Sequence, residues 1–429
     1  METLQPPAHL KSRRQKEMWK RQLLQNVKER QKAQESQTPF RIAERSLQSK
    51  VATPDRPPVV DFTNLENNPP EVRAKLIRVE LSHDLREICP LFGRTDDDWS
   101  KRRSIAYIHS DIEGLIFIPN PFTESAQRQL IYNCLQKYTQ APNSSSLDAH
   151  YEVPAEGVWN LYTKSRRCAS NEDDSQLLIS RKSRSNNGQK IPESADPYDA
   201  PSTSGQQSTS IEKDPDIADI KSEPSLHKPS ELLHPSELIR KLRWVSLGYQ
   251  YNWSEKTYFF DRPIPVPEEA AKLSIAIAKA VEGIGYRQDD GFRWQNNYKG
   301  DNYAPEAGIV NYYQLKDTLM AHVDRSELNM EAPLISMSLG HKCIYLIGEQ
   351  TRDIKPHAIL LQSGDVMAMT GASRSAFHGV PKILDDGPSF LQPGTIDENI
   401  PDWDVYGEYV SKARINLNIR QVNVDSSST

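Results

Sequence analysis

The sequence predicts a mostly β fold with supporting helices, and three observations carry this. Four runs in the C-terminal third have the two-residue period of strands: Leu334 to Leu339, Cys343 to Ile347, Ala358 to Leu361 and Ile415 to Ile419. Ahead of them Pro267 to Ile284 reads as one amphipathic helix, with Leu273, Ile275, Ile277 and Val281, ending near Gly283 and Gly285. No apolar run approaches the roughly 20 residues of a membrane span, and the start lacks the apolar core of a secretory signal.

Length and charge set the frame for the rest. At 429 residues the chain suits about two domains. Its net charge of −5 hides an asymmetry: Lys11 to Lys50 holds twelve Lys or Arg against four Glu, net +8, leaving −13 elsewhere. Thirty prolines and a hydrophobic share of 37% predict disorder beside a folded part. Cys89, Cys134, Cys168 and Cys343 form no C-x-x-C pair and no zinc spacing, which predicts reduced thiols and an intracellular chain.

Residues 1–52 are expected to form a basic, flexible arm. Within it, 10–36 has helix formers and a thin stripe of Met18, Trp19, Leu23, Leu24 and Val27. A solvated helix or tail, an RNA-phosphate arm, a nuclear localisation signal at Lys11 to Lys16 and a mitochondrial presequence all remain open. Glu2 and Glu17 count against the last. The expected compartment is nucleus or mitochondrion, with cytoplasm open.

Residues 53–179 read as an ordered accessory and lid region. Pro69-Pro70 precedes a predicted helix, Glu71 to Arg78. Leu115 to Ile118 reads as a buried strand stopped by Pro119, and Thr123 as the cap of a helix running to Tyr138 with Leu130, Ile131 and Leu135 on one face. Residues 180–235 are rich in Ser, Pro and charge, with Tyr198 the one aromatic, and cannot bury enough apolar area to order themselves. They are expected to be a disordered insertion. Its Ile220-Lys-Ser-Glu223 matches a small-modifier acceptor pattern around Lys221, of a length that arises often by chance.

Order resumes at Leu238. Trp244, Tyr249, Tyr251 and Trp253 crowd together beside Arg240, Lys241 and Arg243. Such a stretch is either a core strand using aromatics for bulk or a stacking surface for unpaired bases.

The chemistry concentrates in the last third. Gly308 to Asp324 ends in His322-Val-Asp324; if extended, side chains at i and i+2 leave one face, with Cα atoms roughly 6.6 Å apart. Alone this triplet is more often an ordinary surface loop than half a metal site. His378 follows a predicted hairpin, Ile359 to Thr370, turning at Ser363-Gly-Asp365. Two histidines and a carboxylate with open positions are the usual holder of non-haem Fe(II) in oxygenases. In Ala413 to Arg420, Arg414, Asn416, Asn418 and Arg420 share one face while Ile415, Leu417 and Ile419 share the other. A solvated strand face mixes Lys, Glu and Thr; a purely cationic and amide face suits a small dicarboxylate.

Asn311-x-Tyr313, then His322-x-Asp324, a distant His378 and Arg414-x-Asn416-x-x-x-Arg420 together resemble the AlkB-type Fe(II)/2-oxoglutarate dioxygenases. Gly114 to Phe122, Lys241 to Val245, Gly248 to Trp253 and His322 to Leu328 look like the branch known as AlkB homologue one. The resemblance covers roughly 105–424, breaks at the insertion and resumes near Leu238. It implies a double-stranded β-helix of jelly-roll, cupin-like type over 236–425, completed by an N-terminal helical and nucleotide-recognition lid region. It implies Fe(II) on His322, Asp324 and His378, the catalytic set. It implies 2-oxoglutarate as co-substrate, its far carboxylate on Arg414 beside Tyr313 and Asn416, with Asn311 and Arg420 supporting its keto-acid end and the metal ligands. Molecular oxygen is the other reactant, and N-methyl groups leave as formaldehyde.

The expected substrate is nucleic acid: methylated bases in transfer RNA (1-methyladenosine, with oxidation of 5-methylcytidine), DNA being open. Trp244, Tyr249, Tyr251 and Ser326 are the expected substrate contacts. Ser326 stands where relatives that repair DNA often carry a second acid. Asn418 stands where the family usually has Thr. The protein is expected to be a monomer without membrane contact. Two rivals are a protein (histone) demethylase or hydroxylase with the same iron chemistry, and a non-catalytic RNA-binding protein on a cupin-like barrel.

Overall fold

The computed structural model describes residues 37–51, 53–93, 105–167, 177–182, 232–252, 257–261 and 263–424, with six residues between 14 and 21. Most of 10–36, Cys168, Trp253, Lys221 and nearly all of the 180–235 insertion lie outside the described residues.

In chain order the N-terminal elements are α1 (Pro39–Gln48), β1 (Val59–Val60), α2 (Pro70–Arg73), β2 (Leu76–Glu80), α3 (Leu85–Ile88), β3 (Ile105–His109) and β4 (Leu115–Ile118). Next come α4 (Glu124–Tyr132), β5 (Ser144–Ser145), α5 (Gly157–Arg167), β6 (Ile179–Ser180), β7 (Leu232–Leu233) and α6 (Pro235–Leu238). Then follow β8 (Trp244–Gly248), β9 (Tyr251–Asn252), β10 (Thr257–Tyr258), α7 (Glu268–Ala280), β11 (Gly285–Gln288) and β12 (Gly291–Gln295). The last third holds β13 (Ala307–Gln314), β14 (Leu319–His322), β15 (Leu334–Gly340), β16 (Cys343–Ile347) and β17 (His357–Leu361). It ends with β18 (Val366–Met369), β19 (His378–Ile383), α8 (Trp403–Val410) and β20 (Ala413–Arg420).

Two sheets pack face to face as a double-stranded β-helix. The larger runs β2-β3-β4-β18-β15-β20-β13-β8-β5, the smaller β1-β17-β16-β19-β14. Strand alternation explains why the larger sheet sits in the middle of the molecule. Ile415, Leu417 and Ile419 of β20, Val310 and Tyr312 of β13 and Val366 and Ala368 of β18 point outward. They meet Leu130 and Ile131 of α4, Trp159 of α5, Leu273 and Ile277 of α7 and Trp403 and Tyr406 of α8. The alternate residues Tyr313, Met367 and Met369 point inward against Tyr345, Ile347, Ile359 and Val380 of the smaller sheet. Each large apolar side chain buried this way contributes roughly 1.5–3 kcal/mol before ordering entropy is subtracted. With helices on one side and the second sheet on the other, β20 has no solvated face. Its cationic and amide row lines an interior.

Four expectations change. Ile359 to Thr370 is not a hairpin: β17 pairs with β16 and β1, while β18 pairs with β15 and β4. The turn at 363–365, with Gly364 at φ +90°, carries the chain from one sheet to the other. Glu71 to Arg78 is helical only to Arg73; the alternating Ile77 and Val79 belong to β2, paired with β3. The helix capped by Thr123, whose hydroxyl accepts from the Ala126 N–H at 3.1 Å, widens into a π-helix over Asn133–Lys137 before Tyr138. The basic arm is folded over part of its length, because Phe40, Ala43 and Leu47 of α1 give it an apolar stripe that packs on Ile344, Leu346 and Ala358.

Candidate metal centre and active site

Strands β14 and β19 bring the two histidines together. His322 and His378 are Cα partners in that ladder, with ring centroids 4.3 Å apart. Asp324 follows two residues after β14 ends, its Oδ2 lying 3.8 Å from His378 Nε2. One ligand atom from each of the three lies within 4.8 Å of the others, close enough to converge on one small cation. Among the described residues this is the one group of its kind.

The donor chemistry fits a transition metal. His322 Nδ1 lies 2.9 Å from the Met320 carbonyl and His378 Nδ1 lies 3.1 Å from the Ala376 carbonyl. A carbonyl only accepts, so both Nδ1 atoms carry the proton and both Nε2 lone pairs are left for a metal. Burial, then the charge of His322, pushes His378 down to about 4, which keeps it neutral at pH 7. For Asp324 burial pulls the carboxyl upward, but the charge of Arg420 above all overrides it and holds it below the ordinary carboxylate range. Tyr345 stacks on His378 at 5.9 Å.

The inner row of β20 is a candidate anion site. Arg414 is 1% exposed and is the cross-strand partner of Tyr313 on β13 and of Gly340 on β15. Its Nη2 donates to Ser338 Oγ at 2.9 Å, while its buried Nε and Nη1 have no hydrogen-bond partner. A buried guanidinium with unmet donors is costly, and a carboxylate seated beside it would satisfy at least one of them. Asn311 and Asn416 are cross-strand partners, and Asn416 Nδ2 donates to Ser336 Oγ at 2.8 Å. Asn418 Oδ1 accepts from Arg420 Nη2 at 2.5 Å, so this amide holds the arginine.

Arg420 is engaged by carboxylates and leaves less of an open anion site than Arg414 does. Its Nη1 is 2.9 Å from Glu327 Oε1 and 3.4 Å from Asp324 Oδ1. Glu327 also receives Arg374 Nη2 at 3.0 Å and the Tyr258 hydroxyl at 2.6 Å, and Arg374 Nη1 donates to the Asp324 carbonyl at 3.2 Å. Burial pulls the Glu327 carboxyl upward; Arg420 and then Arg374 bring it below its usual value. Sequence reasoning missed Glu327, Arg374 and Tyr258. Glu327, three residues past Asp324, was a legible signal; nothing local marks Arg374 or Tyr258.

The expected substrate residues divide. Tyr251 and Ser326 meet, hydroxyl to hydroxyl, at 2.8 Å. Tyr249 lies against Phe260, just past the β9–β10 hairpin, at 5.5 Å and next to Tyr258. Trp244 belongs to β8 of the larger sheet as cross-strand partner of Asn311, so it lines the interior instead of the β9–β10 hairpin. Two of the neighbouring cations engage protein: Arg243 pairs with Asp317 at 3.0 Å and Lys241 lies 5.7 Å from the Tyr151 ring.

The family model described as "2OG-Fe(II) oxygenase superfamily" matches residues 207–420. The chain is 32% identical over 333 residues to "Nucleic acid dioxygenase ALKBH1" of Mus musculus, covering 74% of this chain and 66% of that protein. It is 42% identical over 184 residues to "tRNA demethylase abh1" of Schizosaccharomyces pombe, covering 43% of this chain and 53% of that protein. It is 31% identical over 228 residues to "N6-methyladenosine RNA demethylase ALKBH" of Cryphonectria parasitica, covering 49% of this chain and 87% of that protein.

Proposed function

The chain belongs to the 2OG-Fe(II) oxygenase superfamily, within its AlkB-type dioxygenases, and from that premise we propose that it oxidatively demethylates nucleic acid, transfer RNA above all. The observation that carries the catalytic half is the buried Arg414 with two unmet donor atoms. Tyr313, its cross-strand partner, and Tyr345, stacked on His378, belong to one interior cluster. Guanidinium and metal ligands therefore face the same interior.

His322 Nε2, the Asp324 carboxylate and His378 Nε2 would hold Fe(II). Arg414 and Tyr313 would take the far carboxylate of 2-oxoglutarate, with Asn311 and Asn416 lining its path. When bound, Fe(II) and 2-oxoglutarate supply the oxidising chemistry: O2 is consumed, succinate and CO2 form, and an N-methyl group is hydroxylated and lost as formaldehyde. The protein's share is orientation and charge. Arg420 and Arg374 fix Asp324 from behind, while the β9–β10 hairpin and its Tyr251–Ser326 contact border the site.

Nucleic acid as substrate rests on the names of the relatives and on the aromatic hairpin. Ser326 offers no second carboxylate where relatives that repair DNA bases often carry one, which tempers an assignment to DNA repair. The test is nucleoside mass spectrometry of methylated transfer RNA after incubation with the enzyme, Fe(II) and 2-oxoglutarate, with succinate and formaldehyde measured in parallel. Loss of 1-methyladenosine, or oxidation of 5-methylcytidine, identifies the base. A methylated oligonucleotide of the same local sequence is the competitor at matched salt, since phosphate contacts are strongly salt-dependent. Preference for the oligonucleotide would remove the transfer-RNA assignment, and turnover of neither would remove nucleic acid. Truncation to probe the basic arm should stop at residue 36, because α1 is part of the fold.

A further inference from the structure

Strand β14, which delivers His322, is the outermost strand of the smaller sheet, so among the described residues one of its edges has no neighbouring strand. Its pairing with β19 is also irregular, shifting register between Leu319 and His322. The shift presses the backbone onto Gly379, where an added Cβ would meet the Leu319 carbonyl at 2.8 Å. A metal ligand at the end of an interrupted edge strand needs its backbone held by something else.

Two side chains from outside the sheet hold it. Glu44 of α1 is 2% exposed, and its Oε1 accepts from the Ala321 N–H at 2.9 Å. Arg41, one turn earlier, neutralises the other oxygen at 2.8 Å. On the far side of the same residue, Arg352 Nη2 donates to the Ala321 carbonyl at 3.0 Å, while the Arg352 carbonyl accepts from the Phe40 N–H at 3.2 Å. Helix α1, Arg352 and Ala321 thus form a closed set of contacts directly before His322. The helix is anchored there by Phe40, Ala43 and Leu47, and it lies outside the 207–420 segment that matches the family model.

We infer that Glu44 is a positioning residue of the metal centre: through the Ala321 N–H it replaces a missing strand and sets the backbone from which His322 reaches the ion. This rests on the proposed His322, Asp324 and His378 metal site. The inference makes the N-terminal helix part of the active-site scaffold, so that metal affinity depends on a segment near the other end of the chain. It also specifies the chemistry required at position 44, which is an acceptor oxygen at that reach and not a negative charge as such. Glutamine has such an oxygen; methionine, of similar length and bulk, has none.

The test is Co(II) binding to the full-length, metal-free protein, followed by visible absorption without co-substrate, with far-ultraviolet circular dichroism on each variant. Glu44→Met is expected to weaken Co(II) about 10-fold, the lower end of what loss of a ligand-orienting partner does, and Glu44→Gln to stay within about twofold of wild type. Native-like Glu44→Met with unchanged affinity would overturn the inference, as would equal losses in Met and Gln. Should Glu44→Met loosen α1, Arg352→Met probes the same residue from the other side and is expected to weaken Co(II) as well. Unchanged affinity there would overturn the inference too. Failure of the metal site itself has a separate signature: wild type that binds no Co(II), or whose binding survives His322→Ala.

Discussion

His322 and His378 are Cα partners across the β14–β19 ladder, their ring centroids 4.3 Å apart, and each donates Nδ1–H to the backbone carbonyl two residues before it in the chain. The same local device on two neighbouring strands aims two Nε2 lone pairs at one point. Asp324, past the end of β14, completes the set.

From this follows the expectation for the ligands. His322→Ala and Asp324→Ala should each abolish release of succinate from 2-oxoglutarate while circular dichroism stays native, since neither side chain holds the sheets together. Turnover surviving in both folded variants would show that the metal is held elsewhere.

Arg414 should bind 2-oxoglutarate through donor capacity that Ser338 leaves unused. Lysine at this position keeps a charge but has no planar fork to serve Ser338 and a carboxylate together. Arg414→Lys should cost on the order of 2–3 kcal/mol, or about 30- to 150-fold in co-substrate affinity, read as the KM for 2-oxoglutarate. An unchanged KM would place the far carboxylate elsewhere.

Much of this site was legible in the chain because its signals are local. The alternation of β20 separates Arg414 and Arg420 from Ile415 and Leu417 within eight residues, and that face together with His378 lifts the His322-Val-Asp324 triplet above an ordinary loop. What stayed hidden depends on pairing at a distance. Turn chemistry at Ser363 to Asp365 announces a reversal, but only the partners of β17 and β18 decide that the chain changes sheets there. The apolar stripe of α1 is visible once its surface is known, yet that surface, Ile344, Leu346 and Ala358, lies some three hundred residues on. Glu327 lies in a loop and Arg374 in a short 3-10 helix, and only the fold brings them into one buried group.

Asp365 should make stability depend on pH. It is buried, and burial pushes its carboxyl up to about 7 against the N–H groups of Gln362 and Asn120 and the charge of Arg414. In the unfolded chain it titrates near 4. Between roughly pH 4 and 7 the folded state keeps a proton that the unfolded chain has lost, so this group's contribution is full below 4 and lost as pH rises through 7. The slope is at most about 1.4 kcal/mol per pH unit. Asp365→Asn should remove that slope, so the difference in urea unfolding free energy between wild type and variant should vary from pH 4.5 to 8. Parallel curves would mean that Asp365 is ionised throughout.

Glu327 should be a stability residue as much as a site residue. Its side chain is fully buried between Arg374 and Arg420, whose side chains are 2% and 4% exposed. Removing one member of such a group leaves charges in the interior without compensation, and Glu327→Leu should cost about 3–5 kcal/mol. Asp324 would then remain as the carboxylate near Arg420, at 3.4 Å, and would be drawn towards it. Loss of Tyr258 is a smaller step, since Tyr258→Phe removes one hydrogen bond to a charged acceptor and should cost about 1.5–3 kcal/mol. The pairing account makes a sharper demand on the double variant Glu327→Leu with Arg374→Met. Taking out anion and cation together should cost clearly less than the sum of the single changes, because each single change strands the other partner. Urea unfolding of the metal-free protein measures all four, and salt should barely change the result for charges this deep. Strict additivity, or a single-variant cost under 1 kcal/mol, would show that the two arginines are held by something other than this carboxylate.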